Sequence, residues 1–183
     1  MKLYSISEQY IKYLQKTDPR VLANHTVKHT RKYLGLKLIL NGSNYFLPLS
    51  SPDKMDYDKF GKPRKTILPI YRLVDNKGKL LGKILINNMI PVPDSELQFY
   101  DVTKETDTRY KTLVLKELRI IKAGKNEIMS NARKLYEQKG KNLNKGYLGA
   151  TVDFGRLEKS CKEFVKQQTI TNNQKNLDFE EEL

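Results

Sequence analysis

Apolar positions follow two rhythms along the chain. Up to about residue 100 they come as short runs rich in strand formers, broken by Gly, Pro, Asn and Asp; beyond that they recur at helical spacing. Near the N-terminus Tyr10, Ile11 and Leu14 share one stripe, and Ser5 with Glu8 has capping-box spacing, which predicts a helix over 5–16. Residues 18–32 lose the pattern and read as a basic loop. Runs at 33–40 and 45–49 flank Asn41-Gly42-Ser43-Asn44 and predict a β-hairpin. A polar loop over 53–65 follows, then a second hairpin, 66–74 with 80–86, turning at Asp75-Asn76-Lys77-Gly78. Short strands at 89–93 and 97–100 bring the expectation to about six strands. Helices are predicted over 108–122, 126–138 and 154–167, with a basic, glycine-containing loop at 140–149 and a disordered acidic tail over 169–183. The order of elements predicts an α+β fold, an antiparallel sheet or partly closed barrel with helices packed on it. With 183 residues, one domain over 1–168 is the expected organisation.

Charge sharpens this picture. The chain carries 34 Lys+Arg against 21 Asp+Glu, a net +13, and because the last fifteen residues are net negative the body over 1–168 reaches +16. Such a field attracts phosphate backbones. No apolar run approaches the roughly 18 residues that a bilayer span needs, and the amphipathic N-terminus does not resemble a secretory signal. One cysteine, Cys161, excludes an internal disulfide and a thiolate metal cluster, and it sits on an apolar helical stripe. The expected home is the cytoplasm, with no membrane partner and no cofactor or metal.

The chemistry concentrates at the first hairpin. Pairing of its strands would bring Arg31 and Lys32 beside Ser50, Ser51 and Lys54, while Pro48 and Pro52 hold the two hydroxyls at a strand end. Hydroxyls beside fixed cations suit phosphoryl transfer, in which cations stabilise the charge gathering on phosphorus and hydroxyls orient oxygens and relay protons. In a chain lacking a metal-ligand cluster, the matching reaction is RNA cleavage by its own 2′-hydroxyl, leaving 2′,3′-cyclic phosphate and 5′-hydroxyl ends. His29, in the same basic segment, is an acid–base candidate, whereas His25 reads as a surface residue. A serine hydrolase is excluded because Ser51 lies between Ser50 and Pro52 instead of in a glycine elbow, and no phosphate-binding glycine motif for nucleotides is present. Lysines interleave with aromatics in the loops, which marks Lys28, Lys32, Tyr33, Lys62, Arg64, Lys141 and Lys145 as candidate RNA contacts.

In order along the chain, MKLYSISEQYIKYLQ, YLG at a strand start, NGSNYFLPLSSP, NNMIPVP and RYKTLVLKELRIIK resemble the ToxN/AbiQ family of endoribonuclease toxins from type III toxin–antitoxin systems. The resemblance covers residues 1–168. It implies a compact SH3-like antiparallel β-barrel of the MazF/Kid toxin type with helices packed on it, metal-independent cleavage of cellular or phage RNA, and a role in abortive infection. It also implies a folded, repeat-derived antitoxin RNA that binds the basic groove, is cut from its precursor by the toxin, and mediates higher-order assembly. The family's Ser/Thr-Ser-Pro-Lys motif falls on Ser50, Ser51 and Pro52, with Asp53 in place of the lysine and Lys54 next; the family lysine before the strand-start aromatic falls on Arg31. Arginine is a poor proton donor, which leaves Lys28, His29 or Lys32 for an acid role. The competing reading is a non-catalytic RNA- or DNA-binding regulator, for which the basic body and the aromatic loops would suffice. A toxin held by a small acidic protein is a further alternative.

Overall fold

A computed structural model describes residues 2–24 and 30–181. Among these lie seven strands: β1 (Lys2–Ile6), β2 (Tyr33–Leu40), β3 (Ser43–Ser50), β4 (Ile70–Val74), β5 (Leu80–Leu85), β6 (Ile90–Pro91) and β7 (Leu97–Tyr100). Four helices accompany them: α1 (Glu8–Thr17), α2 (Thr108–Gly140), the single turn α3 (Gly146–Gly149) and α4 (Phe154–Glu181).

The two expected hairpins form. In the first, Asn41 and Gly42 both take positive φ, 46° and 75°, the backbone of a tight two-residue turn whose twist matches the strands it joins. Ser43 and Asn44 therefore belong to β3 and not to the turn. The register Tyr33↔Pro48, Leu34↔Leu47 and Gly35↔Phe46 shifts before Leu38↔Tyr45, an irregularity that bends β2.

All pairings are antiparallel, in the order β4-β5-β3-β2-β1-β7. Strand β3 is the axis of the sheet. One edge pairs with β2; the other is shared, Tyr45 and Phe46 pairing with β6 while Leu49 and Ser50 pair with β5. The ends of the order, β4 and β7, are not paired with each other, so the sheet is bent but open rather than a closed barrel.

Three expectations are corrected. Ser5 and Ile6 belong to strand β1, not to the first turn of the helix, and the cap is Ser7, whose hydroxyl accepts from the Tyr10 backbone N–H at 3.2 Å. The strand wins because β2 and β7 supply partners on both edges, 30 and 90 residues away in sequence, beyond the reach of a local pattern. Residues 108–140 are one unbroken helix of 33 residues. Gly124 breaks its apolar stripe because the Tyr71 side chain packs there, where any Cβ would collide with its hydroxyl. The last helix extends beyond residue 167, its backbone helical through Glu181.

The core lies between the sheet and the helices, with Tyr10, Ile11 and Leu14 of α1 and Ile121, Ile128, Ala132 and Leu135 of α2 all fully buried. Glu158 of α4, itself buried, accepts hydrogen bonds from Tyr45 (2.8 Å), Tyr136 (2.8 Å) and Asn41 (2.7 Å). One carboxylate thereby ties α4 to β3, α2 and the hairpin tip. No helix among the described residues is long and apolar enough to cross a membrane.

Candidate active site

The first hairpin positions the site. Leu49 N–H donates to the Lys32 carbonyl at 2.9 Å, so the start of β2 and the end of β3 lie side by side. A small cleft of about 80 Å³ opens there, lined by Thr30, Arg31, Lys32, Leu49, Ser50 and Ser51 on one wall and by Tyr110, Leu113, Val114 and Glu117 of α2 on the other. Four of the residues singled out from sequence, Arg31, Lys32, Ser50 and Ser51, thus converge.

Each is held differently. Arg31 donates from Nε to the Ala23 carbonyl (3.1 Å) and from Nη1 to the Leu49 carbonyl (3.0 Å), which fixes the guanidinium plane while Nη2 stays outside those bonds. Burial pulls its pKa below the ordinary arginine value. Lys32 stands with Nζ 4.3 Å from the centre of the Tyr100 ring, and burial lowers its pKa as well, against the opposing pull of Glu105. Ser50 is half-buried and paired to Lys83 of β5, whereas Ser51, one residue past the strand, is exposed.

The turn behind the serines is braced from below. Arg72 and Lys83 face each other across β4 and β5, and the buried Asp56 lies between them, accepting from Lys83 Nζ at 2.6 Å and Arg72 Nη2 at 3.0 Å. Lys83 also binds Asp53 at 2.6 Å, and Asp53 caps the short turn Lys54–Asp56. Burial disfavours the charged form of Asp56, yet the Lys83 hydrogen bond, the Asp53 N–H and the two cations outweigh it and hold its pKa below the usual carboxylate range. Asp53 is therefore an anchor for the loop and supplies no cation. Lys54 is exposed and does not line the cleft.

Other expectations are redistributed. Tyr33 is 1% exposed, a core residue that no RNA base can reach. Lys62 and Arg64 are exposed on the 53–65 loop, beside Met55 (76% exposed) and Phe60 (74%), with Lys59 Nζ 5.0 Å from the Phe60 ring. Lys141 and Lys145 are exposed in the segment following α2 and do not line the cleft. Lys28, His29 and His25 lie outside the described residues.

Two features escaped the sequence reading. An open groove of about 790 Å³ runs along β1 and β7 and shares Thr30 and Lys32 with the cleft; Phe99, 54% exposed, and Tyr100 lie along it. The other is Glu117. It is half-buried, and burial pushes its pKa up to about 7. Its signal was present in the sequence as a carboxylate three residues beyond Val114 and four before Ile121, on the buried face of α2.

An open antiparallel sheet backed by helices in this way is a fold already known from solved structures. Residues 2–162 match the model of the family of toxin ToxN from type III toxin–antitoxin systems, and the chain belongs to that family. The chain is 32% identical over 173 residues to the endoribonuclease ToxN of Bacillus thuringiensis subsp. kurstaki, covering 91% of this chain and 85% of that protein. A toxin solved in work on selective type III toxin inhibition by a non-coding RNA pseudoknot is 32% identical and superposes with a TM-score of 0.76, covering 89% and 96% of the two chains. AbiQ, a lactococcal anti-phage endoribonuclease, superposes with the same TM-score at 26% identity, covering 90% and 98%.

Proposed function

We propose that the protein is an endoribonuclease toxin that cleaves RNA without a metal, by in-line attack of the 2′-hydroxyl on the adjacent phosphorus. The observation that carries this reading is the convergence of Ser50, Ser51, Arg31 and Lys32 in one cleft. The 2′-oxygen forms a bond to phosphorus as the bond to the 5′-oxygen breaks, leaving a 2′,3′-cyclic phosphate and a 5′-hydroxyl. Ser51 orients the phosphoryl oxygens, with Ser50 supporting it. Arg31, its guanidinium fixed by two carbonyls, meets the charge developing on those oxygens without reorganising. Lys32 gives its proton to the departing 5′-oxygen, and the lowering of its pKa by burial makes it a better donor.

The RNA strand would enter along the β1–β7 groove, a base against Tyr100 and its phosphates near Lys32, and would reach Lys62 and Arg64 on the 53–65 loop. Partners in this reading are cellular or phage RNA as substrate and a folded, repeat-derived RNA as inhibitor, which the toxin releases from its precursor and which mediates assembly. The setting is cytoplasmic phage defence, with residues 1–168 as the toxin domain and the bent sheet as kin to the SH3-like barrel of MazF/Kid toxins.

The test is incubation of protein freed of bound RNA with a mixed RNA in EDTA, followed by mapping of the fragment ends. Cyclic-phosphate ends, reduced at least about a hundredfold in Ser51→Ala, are expected, given the usual worth of an orienting or proton-relaying group. Intact RNA that still shifts on a gel would leave a binding module only.

A further inference from the structure

The proposed reaction needs a group to take the proton from the attacking 2′-hydroxyl, and neither serine nor the two cations is suited to it. Among the described residues lining the cleft, Glu117 is the one carboxylate. It approaches from α2, across from the serines. Its place is built into β5: Gly82 leaves the carboxylate free to pack on bare backbone, where a side-chain carbon would collide with Glu117 Oε1 and lie 3.3 Å from the Ser50 carbonyl oxygen. The carboxylate therefore sits at the β3–β5 junction that presents Ser50 and Ser51.

We propose that Glu117 is the general base of the cleavage reaction, an assignment that rests on the endoribonuclease reading above. Its carboxylate takes the proton of the 2′-hydroxyl as the 2′-oxygen bonds to phosphorus; the phosphorus–5′-oxygen bond breaks, and the Lys32 ammonium protonates the leaving oxygen. Proton transfer from Glu117 to Lys32 through solvent restores both groups. A carboxylate at its ordinary pKa would be a feeble base for this step, but burial brings Glu117 to about 7, near working pH. Of the charged or titratable groups around it, Tyr110 of its own helix feels its charge, and Arg31 and Lys32, from the segment entering β2, line the same cleft; Ser50 at the end of β3 and Ser51 just past it bring only hydroxyls.

Single-turnover cleavage of a mapped RNA in EDTA, from pH 5 to 9, tests this with wild type, Glu117→Gln, Glu117→Asp and Ser51→Ala. The wild-type rate should rise about tenfold per pH unit and level off near pH 7, because only the ionised carboxylate accepts a proton. Glu117→Gln should be slower by about a hundredfold or more at pH 8, without that inflection, with RNA affinity within about twofold of wild type. Glu117→Asp should recover part of the rate and retain an inflection. Gly82→Ala, which displaces the carboxylate while leaving it in the chain, should lose rate in the same way. Glu117→Gln cleaving at the wild-type rate, or keeping the inflection, would overturn the assignment while leaving Ser51 and the endoribonuclease reading intact. Wild-type protein yielding no cyclic-phosphate ends would overturn both.

Discussion

At the scale of single residues, the site is assembled by groups whose ordinary chemistry is altered by where they sit. Glu117 is the extreme case, and it links stability to pH with a definite sign. Its folded pKa, about 7, lies above the ordinary 4.5, so the stability it contributes is present in acid and lost as pH rises through 7. Glu117→Gln should therefore be more stable than wild type at pH 8 by about 1 to 3 kcal/mol, with the gap closing towards pH 5. Denaturant melts at the two pH values check this; a pH-independent gap would mean that the carboxyl titrates normally. Tyr33 gives the opposite lesson. Its neighbours Arg31 and Lys32 mark a basic segment, but the register of β2 turns the ring into the core.

At the scale of elements, the decisive unit is the β4–β5 pair carrying the loop behind the serines. Asp56 is buried between Arg72 and Lys83, and Lys83 also reaches the exposed Asp53, so the loop is held by three charges that have left water together. Removing one partner strands the others: Asp56→Asn should cost about 3 to 5 kcal/mol, as breaking buried ion pairs does. The folded Asp56 pKa lies below its ordinary value, so its contribution is present above that value and lost as pH falls through the folded one. Chemical denaturation of wild type and Asp56→Asn at pH 7 and in strong acid measures it: the difference should shrink in acid. This brace was invisible in sequence because Asp53, Asp56, Arg72 and Lys83 look like ordinary solvated charges. Pairing of Arg72 with Lys83 creates the demand for an anion between them. The first hairpin, by contrast, was legible, since Asn-Gly between two apolar runs specifies its own turn.

At the scale of the whole molecule, the +16 carried by residues 1–168 is a field for polyanions, and it should appear as a salt dependence of RNA binding. If the 53–65 loop contacts the strand, the double variant Lys62→Ala/Arg64→Ala should flatten the slope of log affinity against log salt by about 1.4, two phosphate contacts at about 0.7 each for single strands. Titrations from low to high salt in a Ser51→Ala background measure this, and an unchanged slope would remove the loop from the interface. The sequence by itself determined the α+β class, both hairpins, the apolar face of α1 and the gathering of Arg31, Lys32, Ser50 and Ser51, because all of these follow from local periodicity and from pairing across one tight turn. Only the tertiary structure decided that β1 is a strand, that α2 runs unbroken past the serines, and that Glu117 meets them. Those outcomes depend on partners tens of residues away, whose burial and hydrogen bonding outweigh local preference and bring a carboxylate from a helix face into a cleft made by a hairpin.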